Sequence, residues 1–519
     1  MSAQATFSGE GARRRFSGLE TIAACGPLAP ALVAAGGAAA GLYAWYVAAA
    51  RLGTGVLLES AFVAAIAGGI LAALAGWVAY GRYFARRAGV GVITAMRYDA
   101  WSWAALGAGA VGVLGPVGTP SRTAALAASL FAIVKVLVAA RFVHTVRDVL
   151  VTFVVTRIPI IVIAELASIT LAQRPGIHTV ESTNPLLAVW ARWDAVHYLD
   201  IARRGYVGTD MAFFPLYPAL IALVGHFVGN DLIAALIISN AALFFGLLFF
   251  YKLVEHEFTR AVAHRAIFYV SIFPTAVFFS AAYTESLFFA LTVASFYYIR
   301  EHRWLTAGAI GAFAALTRVE GVLLAIPYAI EVFAAARAEG RGGEWRHFFS
   351  ARRSTRIALG AVAMPLGLAG YMGWLWVLRG DPLYFSKVQA HWDRHLAPPW
   401  VSVVHAFGII KKAAAAHATV AVANEAIELA FTALMIAVLL AGYKRLRPSF
   451  IAYMALSILV PMSTSSLMSM QRFALVLFPM FAIFALWGSR PWVNNAIVAF
   501  SLPLLAFFTV LFANWYWVA

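Results

Sequence analysis

The chain reads as an all-α polytopic membrane protein, and three observations carry that reading. It is 62% hydrophobic and only 12% charged over 519 residues, with a mean hydropathy of +0.81, far from the balance of a water-soluble domain. Apolar runs of about 17–25 residues, the length that crosses a hydrocarbon core as helix, recur from end to end. Strict alternation of apolar and polar residues is absent, which argues against a transmembrane β-barrel.

Charge supports the same class. The formal net charge is +16, but the basic residues sit in short clusters between apolar runs: Arg13-Arg14-Arg15, Arg82/Arg86/Arg87, Arg352/Arg353/Arg356 and Lys444/Arg445/Arg447. Cytoplasmic loops of membrane proteins have this pattern, so no nucleic-acid partner is needed to explain it. The single cysteine, Cys25, excludes an intrachain disulfide and argues against a cysteine-built metal site. A basic stretch followed by a long apolar one, without an A-x-A-like cleavage site, predicts an uncleaved signal anchor at the N-terminus. No N-x-[ST] sequon or ER-retention tail is found, and with the alanine bias this points to a bacterial or archaeal plasma membrane.

With the N-terminus cytoplasmic, spans are expected near 22–50, 58–80, 99–114, 123–141 and 148–171. An outer interval (172–230) follows, then spans near 231–250, 266–282, 285–300, 304–317, 321–336 and 357–378. A second outer interval (379–420) precedes 422–442, 448–464, 472–488 and 491–512. The total is roughly 13–15 transmembrane helices. The stretch 215–229 decides the parity. Left out of the count, it puts roughly 24 Lys/Arg inside and roughly 13 outside, or about 24 to four when only short loops are considered. Pro215, Pro218 and His226, with a length of about 15 residues, fit a helix lying at the outer interface better than a crossing. Before position 145 the chain is mostly Ala and Gly, suited to close helix packing, with Asp99 and Lys135 among few ionisable groups. Lys135 and Glu165 lie well inside apolar runs, where they can form a buried pair.

Chemistry concentrates at 191–218, ARWDAVHYLDIARRGYVGTDMAFFPLYP. Asp194 follows Trp193 at the start of a helix-compatible stretch, with His197 at i+3 and Tyr198 at i+4 on its face. A carboxylate beside an imidazole and a phenol can act as general base toward a hydroxyl; the same residues also make an amphipathic interfacial helix anchored by Trp and Tyr. The run from Phe213 and Phe214 through Tyr217 to Pro218 either lines a groove for a lipid tail or simply starts a helix. Tyr283-Thr284-Glu285-Ser286 and Thr317-Arg318-Val319-Glu320-Gly321 are outer turns. There Glu285 can be an ordinary hairpin residue, and Arg318 can pair with Glu320 or hold an anion. Gln471-Arg472 places another guanidinium at an outer helix end. Arginine suits phosphate because its planar fork donates two hydrogen bonds, yet membrane-edge arginine also arises by snorkelling. In the second interval, His391-Trp392-Asp393-Arg394-His395 has the i, i+2, i+4 spacing of strand ligands, with no partner cluster to complete a metal site. A loop offering His391 and Trp392 to a sugar fits better.

Together these residues resemble the PIG-V family of mannosyltransferases and, more broadly, the GT-C superfamily of membrane glycosyltransferases. The matching segments are R-W-D-A-x-H-Y-x-x-I-A-x-x-G-Y at 192–206, F-F-P-L-Y-P at 213–218, Y-T-E-S at 283–286, T-R-x-E-G at 317–321 and S-M-x-R-F-x-L-V-x-F-P at 469–479. G-D-P-L-x-F at 380–385 looks like prokaryotic members. Eukaryotic relatives often carry Asn where Glu320 stands. The resemblance covers about 148 to 515. It implies a GT-C-like bundle with outer-face juxtamembrane helices, a catalytic membrane domain at 148–519, and an accessory four-span module at 1–147.

The resemblance further implies a polyprenyl- or dolichyl-phosphate mannose donor and a lipid-linked or glycan acceptor, met on the outer membrane face. Asp194 would be the catalytic carboxylate. Arg192, Trp193, His197, Tyr198, Phe213, Phe214, Tyr217, Tyr283, Glu285, Arg318, Glu320, His391, Trp392, Gln471 and Arg472 would bind substrate. Attack by the acceptor hydroxyl inverts a β-linked mannosyl phosphate to an α-linkage, with Asp194 taking the proton. Arg472 or Arg318 would stabilise the departing phosphate. No cofactor and no divalent metal are expected. The competing class is a transporter or flippase for a lipid-linked sugar, which ordinarily shows related halves and mid-membrane ionisable groups; a GT-C enzyme using another lipid-phosphate sugar is the third reading.

Overall fold

The computed structural model describes residues 143–175, 181–340 and 350–518. The chain divides into two compact units, Met1–Arg147 with Phe227–Gly229, and Asp148–His226 with Asn230–Ala519. The first four expected spans, the signal anchor, Cys25 and Lys135 lie outside the described residues, which fall almost wholly in the second unit.

Every regular element among the described residues is helical. The first, α1 (Val143–Thr170), carries Pro159 within it. The first long interval holds α2 (Asp194–Arg204) and α3 (Leu216–Val228). Next come α4 (Asp231–Glu257), α5 (Arg260–Ser271), α6 (Glu285–Arg300), α7 (Trp304–Ala315), α8 (Ala325–Gly340) and α9 (Ala351–Arg379). The last group is α10 (Pro399–Ala415), α11 (Thr419–Gly442), α12 (Pro448–Met462), α13 (Met470–Val476), α14 (Phe478–Trp487) and α15 (Pro491–Ala513).

Among the described residues six helices are long and apolar enough to cross a membrane, seven if the bent pair α13–α14 is one span. The sequence suggests more for this part of the chain. The expected spans near 285–300, 304–317 and 448–464 form helices of 16, 12 and 15 residues, about 24 Å or shorter where a hydrocarbon core is about 30 Å. The run near 266–282 is split between α5 and a turn of 3-10 helix, Ala276–Phe279. Hydropathy registers an apolar environment without saying whether it is lipid or protein. In α6 most side chains, Phe288, Phe289, Phe296 and Ile299 among them, are buried against protein, so their apolarity serves packing. The second interval, expected as loop, contains the 17-residue α10.

Two packing features set the frame of the site. Helices α7 and α9 approach so closely that a Cβ on Gly308 would come within 2.1 Å of the Gly360 carbonyl oxygen, the small-residue contact that lets membrane helices touch backbone to backbone. Arg157 in α1 is buried and donates to the carbonyls of Ser271 and, at 2.8 Å, Ala276. The Ser271 carbonyl is left open where α5 ends and Ala276 begins the 3-10 turn that follows, so a fixed cation ties the two together ahead of Tyr283–Ser286. Glu165, whose expected partner Lys135 lies outside the described residues, accepts from Trp190 Nε1 at 3.0 Å.

The break between α13 and α14 is a 73° bend. Pro479 has no N–H to give and is best placed in a first helical turn, which suits the new helix that starts at Phe478. The other end of α13 is capped by a residue from a different element. Glu428 of α11 accepts from the Ser469 and Met470 amides at 2.9 and 2.8 Å, satisfying two donors that a helix start leaves open.

Candidate functional site

Asp194 is the first residue of α2, and its Oδ2 lies 2.7 Å from Arg472 Nη1. Arg472 turns Nε and Nη2 to Glu285 Oε1 at 2.9 and 2.8 Å. The same oxygen accepts from Arg318 Nη1 at 2.9 Å, and Arg318 Nε stands 3.6 Å from Glu320. Two guanidiniums and three carboxylates therefore form one cluster, drawn from points up to 278 positions apart. Each arginine is sandwiched by aromatic faces: Arg472 lies 4.8 Å from the Tyr283 ring centre and 5.2 Å from that of Phe278, and Arg318 lies against Phe288 and Phe473. Side-chain exposure rises from 0% at Glu285 through 7% at Arg472 to 29% at Asp194, so the cluster opens toward Asp194. Burial works against the Arg318 charge, but Glu320 and Glu285 outweigh it and hold its pKa above the usual value.

The backbone in front of Asp194 is strained. Trp193 has φ 55°, a left-handed conformation that costs a bulky residue about 1–3 kcal/mol. Its indole meets Trp515 and Trp517 edge-on at 5.8 and 5.3 Å, and its Nε1 is buried without a partner among the described residues. Arg192 does not line the cavity; it lies over Trp515 at 4.8 Å and donates to the Ala513 carbonyl at 3.4 Å, and burial lowers its pKa to about 10. Together these contacts fix where α2 begins. Gly321 closes the turn on the far wall, where a Cβ would come within 2.3 Å of the Ala314 backbone.

These groups edge a cavity of about 1330 Å³, larger than the ~300–1,000 Å³ of an ordinary small-molecule cleft. Of the residues expected in the site, Trp193, Asp194, His197, Tyr198, Phe213, Phe214, Arg318, Glu320, Trp392 and Arg472 line it. Trp392 reaches across from the second interval to within 6.4 Å of His197 and 6.1 Å of Phe213.

The other expected residues, apart from His391, stand behind this wall. Tyr217 is buried with its hydroxyl 2.8 Å from Ser239; Tyr283 donates to the Arg192 carbonyl at 2.9 Å; Gln471 holds the Val518 carbonyl at 2.5 Å. Glu285 is sealed beneath the arginines, and His391 is exposed beside Trp392. The expected Asp194–His197–Tyr198 grouping also differs. His197 Nδ1 is 2.9 Å from Asp210 and its ring stacks on Phe213, while the Tyr198 hydroxyl is 3.4 Å from Thr284. Burial, reinforced by the charges of Asp194 and Glu285, pushes the Tyr198 phenol up, so it stays neutral. The segment around His391 is a 3-10 turn, Val388–Trp392, followed by a left-handed Asp393 at φ 52°, not a strand. Among the described residues no three His, Cys, Asp or Glu group as metal ligands.

Arg394, Trp515, Trp517, Asp210 and Glu428 are not among the residues the sequence pattern singles out. An acid in mid-span is itself a signal, and Glu428 carries it. Asp210 has no such signal, because only the fold brings its loop back to His197.

Fold and site define a helical membrane protein with a carboxylate–arginine centre at one end of a large, partly aromatic cavity. Residues 132–334 match the family model described as Mannosyltransferase (PIG-V). The chain is similar to GPI mannosyltransferase 2 of Schizosaccharomyces pombe, 29% identical over 147 residues, which are 27% of this chain and 32% of that protein. It is 30% identical over 148 residues to GPI mannosyltransferase 2 of Cryptococcus neoformans, covering 26% and 35%. Against human GPI alpha-1,6-mannosyltransferase 2 the identity is 32% over 155 residues, covering 27% and 30%. The match thus spans about a third of the length of these relatives. Among solved structures, the Archaeoglobus fulgidus oligosaccharyltransferase aligns with a TM-score of 0.34 and 14% identity over 69% of this chain and 53% of that one.

Proposed function

We propose that the protein is an inverting mannosyltransferase that moves mannose from a polyprenyl- or dolichyl-phosphate donor to a hydroxyl of a lipid-linked or glycan acceptor. The observation that carries this reading is Asp194. It is the most exposed acid of the cluster, at 29% against 10% for Glu320 and 0% for Glu285, and it lines the cavity. The similarity of residues 132–334 to the PIG-V mannosyltransferases supports the sugar.

The acceptor O–H loses its proton to Asp194 as its oxygen bonds to the anomeric carbon. The bond from that carbon to the phosphate oxygen breaks, and the electron pair leaves with the lipid phosphate. A phosphate monoester departs without a general acid, so one carboxylate suffices and the paired acid and base of a glycosidase are not needed. Arg472 holds the carboxylate at a fixed point, and Trp193, Phe213 and Trp392 offer apolar faces on which a sugar ring can lie. The site faces the outer side of the membrane, a reading supported by the basic clusters at 352–356 and 444–447, which belong inside.

Asp194→Asn tests the base. With purified protein and polyprenyl-phosphate mannose, turnover should drop about a hundred- to ten-thousand-fold with melting temperature close to wild type. Near-normal transfer by this variant would falsify the assignment.

A further inference from the structure

We propose that Arg394, rather than Arg318 or Arg472, forms the anion subsite of the cavity and receives the phosphate of the lipid-phosphate donor; the inference rests on the transferase reading above. The two arginines favoured by sequence are already neutralised. Arg472 commits Nε, Nη1 and Nη2 to Glu285 and Asp194, and Arg318 is held by Glu285 and Glu320. With three carboxylates against two guanidiniums, that cluster repels a phosphate more than it attracts one. Lys387, another cation on the wall, is paired with Asp381 at 2.5 Å.

Arg394 differs from all three. It lines the same cavity and has no carboxylate within ion-pair distance among the described residues. Its Nη2 donates to the Met468 carbonyl, while its Nε is buried without a partner. A buried donor left open is unfavourable until something accepts from it. The guanidinium is also held in place from two sides. Met468 directly precedes the Ser469 and Met470 amides that Glu428 clamps, and Asp393 turns the chain through a left-handed residue just before it. Burial lowers the Arg394 pKa, and the charges of Glu428, Glu320 and Asp194, none close enough to pair with it, offset this only in part; a bound phosphate would offset the rest. The planar fork matches phosphate oxygens in bidentate fashion.

The surroundings favour a lipid phosphate over a free one. Leu396, two residues on, is 92% exposed and lines the cavity, as do Leu459 and Val460. Beyond it α10 exposes Trp400, Val404 and Phe407, which at i, i+4 and i+7 share one helix face. A head group at Arg394 therefore has an apolar path for its chain beside it.

The test measures binding of undecaprenyl phosphate, undecaprenol and inorganic phosphate to the purified full chain, wild type, Arg394→Gln and Arg394→Lys. Arg394→Gln should weaken undecaprenyl phosphate about ten- to a hundredfold and leave undecaprenol unchanged, with Arg394→Lys between. Equal affinity of wild type and Arg394→Gln for undecaprenyl phosphate overturns the inference and leaves the transferase reading standing. A wild type that does not distinguish undecaprenyl phosphate from undecaprenol overturns both. Inorganic phosphate binding as tightly as the lipid overturns the lipid assignment. If Arg394→Gln loses undecaprenol as well, Arg394→Lys decides: recovered lipid-phosphate binding supports the subsite, and its failure overturns it.

Discussion

The two ends of α6 carry two ion clusters built from nearly the same parts. At its start, Glu285 gathers Arg318 and Arg472, with Asp194 and Glu320 as further acids. At its end, Arg300 joins Glu257 and Glu331 at 2.5 and 2.8 Å, Arg447 joins Glu257 at 2.6 Å, and Ser449 donates to Glu331 at 2.5 Å. The second cluster balances two cations with two anions, and the main cavity does not reach it. The first has one carboxylate in excess, and that excess is what opens to the cavity. The 16 residues of α6 hold the clusters about 24 Å apart. Ion pairing by itself therefore does not mark a site in this protein; an unbalanced acid facing a cavity does.

The comparison is broken most forcefully by removing the central acid of each cluster. Glu285→Gln should destabilise the protein by up to about 3–5 kcal/mol, because it removes the acid shared by two buried arginines, and Glu257→Gln by less, because Arg447 is 40% exposed and Arg300 keeps Glu331. Only Glu285→Gln should also reduce turnover per folded molecule, since only it holds Arg472 against Asp194. Melting curves paired with activity at a temperature where both variants are folded would show this, and an equal loss of turnover in Glu257→Gln would erase the distinction between the ends. A smaller effect is expected from Glu428→Gln. An amide accepts one hydrogen bond well where the carboxylate accepts two, so about 1–3 kcal/mol should be lost, with a rise in KM for the donor as Met468 and Arg394 lose their fixed position.

The gentlest test asks on which sides of the membrane the two ends lie. With Cys25 replaced by serine, a cysteine at Lys387, beside the cavity, should react with an impermeant thiol reagent from outside intact cells, and one at Lys444, near Arg447, only after lysis. Labelling of Lys444→Cys from outside would reverse the orientation.

The site was partly legible because several of its residues sit in polar breaks of an apolar chain. Arg192-Trp193-Asp194, Thr317 to Gly321 and Gln471-Arg472 stand out where a span cannot continue. What could not be read was which of these residues face the cavity. Glu285 and Tyr283 lie in such a break yet form the layer beneath, and His197 turns to Asp210 although its spacing from Asp194 suits the same helix face. Arg394 was visible only as one letter of a histidine-containing run, because its significance lies in lacking a carboxylate partner.

The sequence alone determined that this is a helical membrane protein, since apolar runs of that length and number permit little else, and it marked the polar stretch around Asp194 as the candidate site. Tertiary structure decided how that chemistry is divided. Which arginine neutralises a carboxylate and which remains open for an anion depends on distances between residues hundreds of positions apart, and no local pattern encodes them. The same is true of the spans: apolar composition does not separate a helix facing lipid from one, like α6, that is buried in protein.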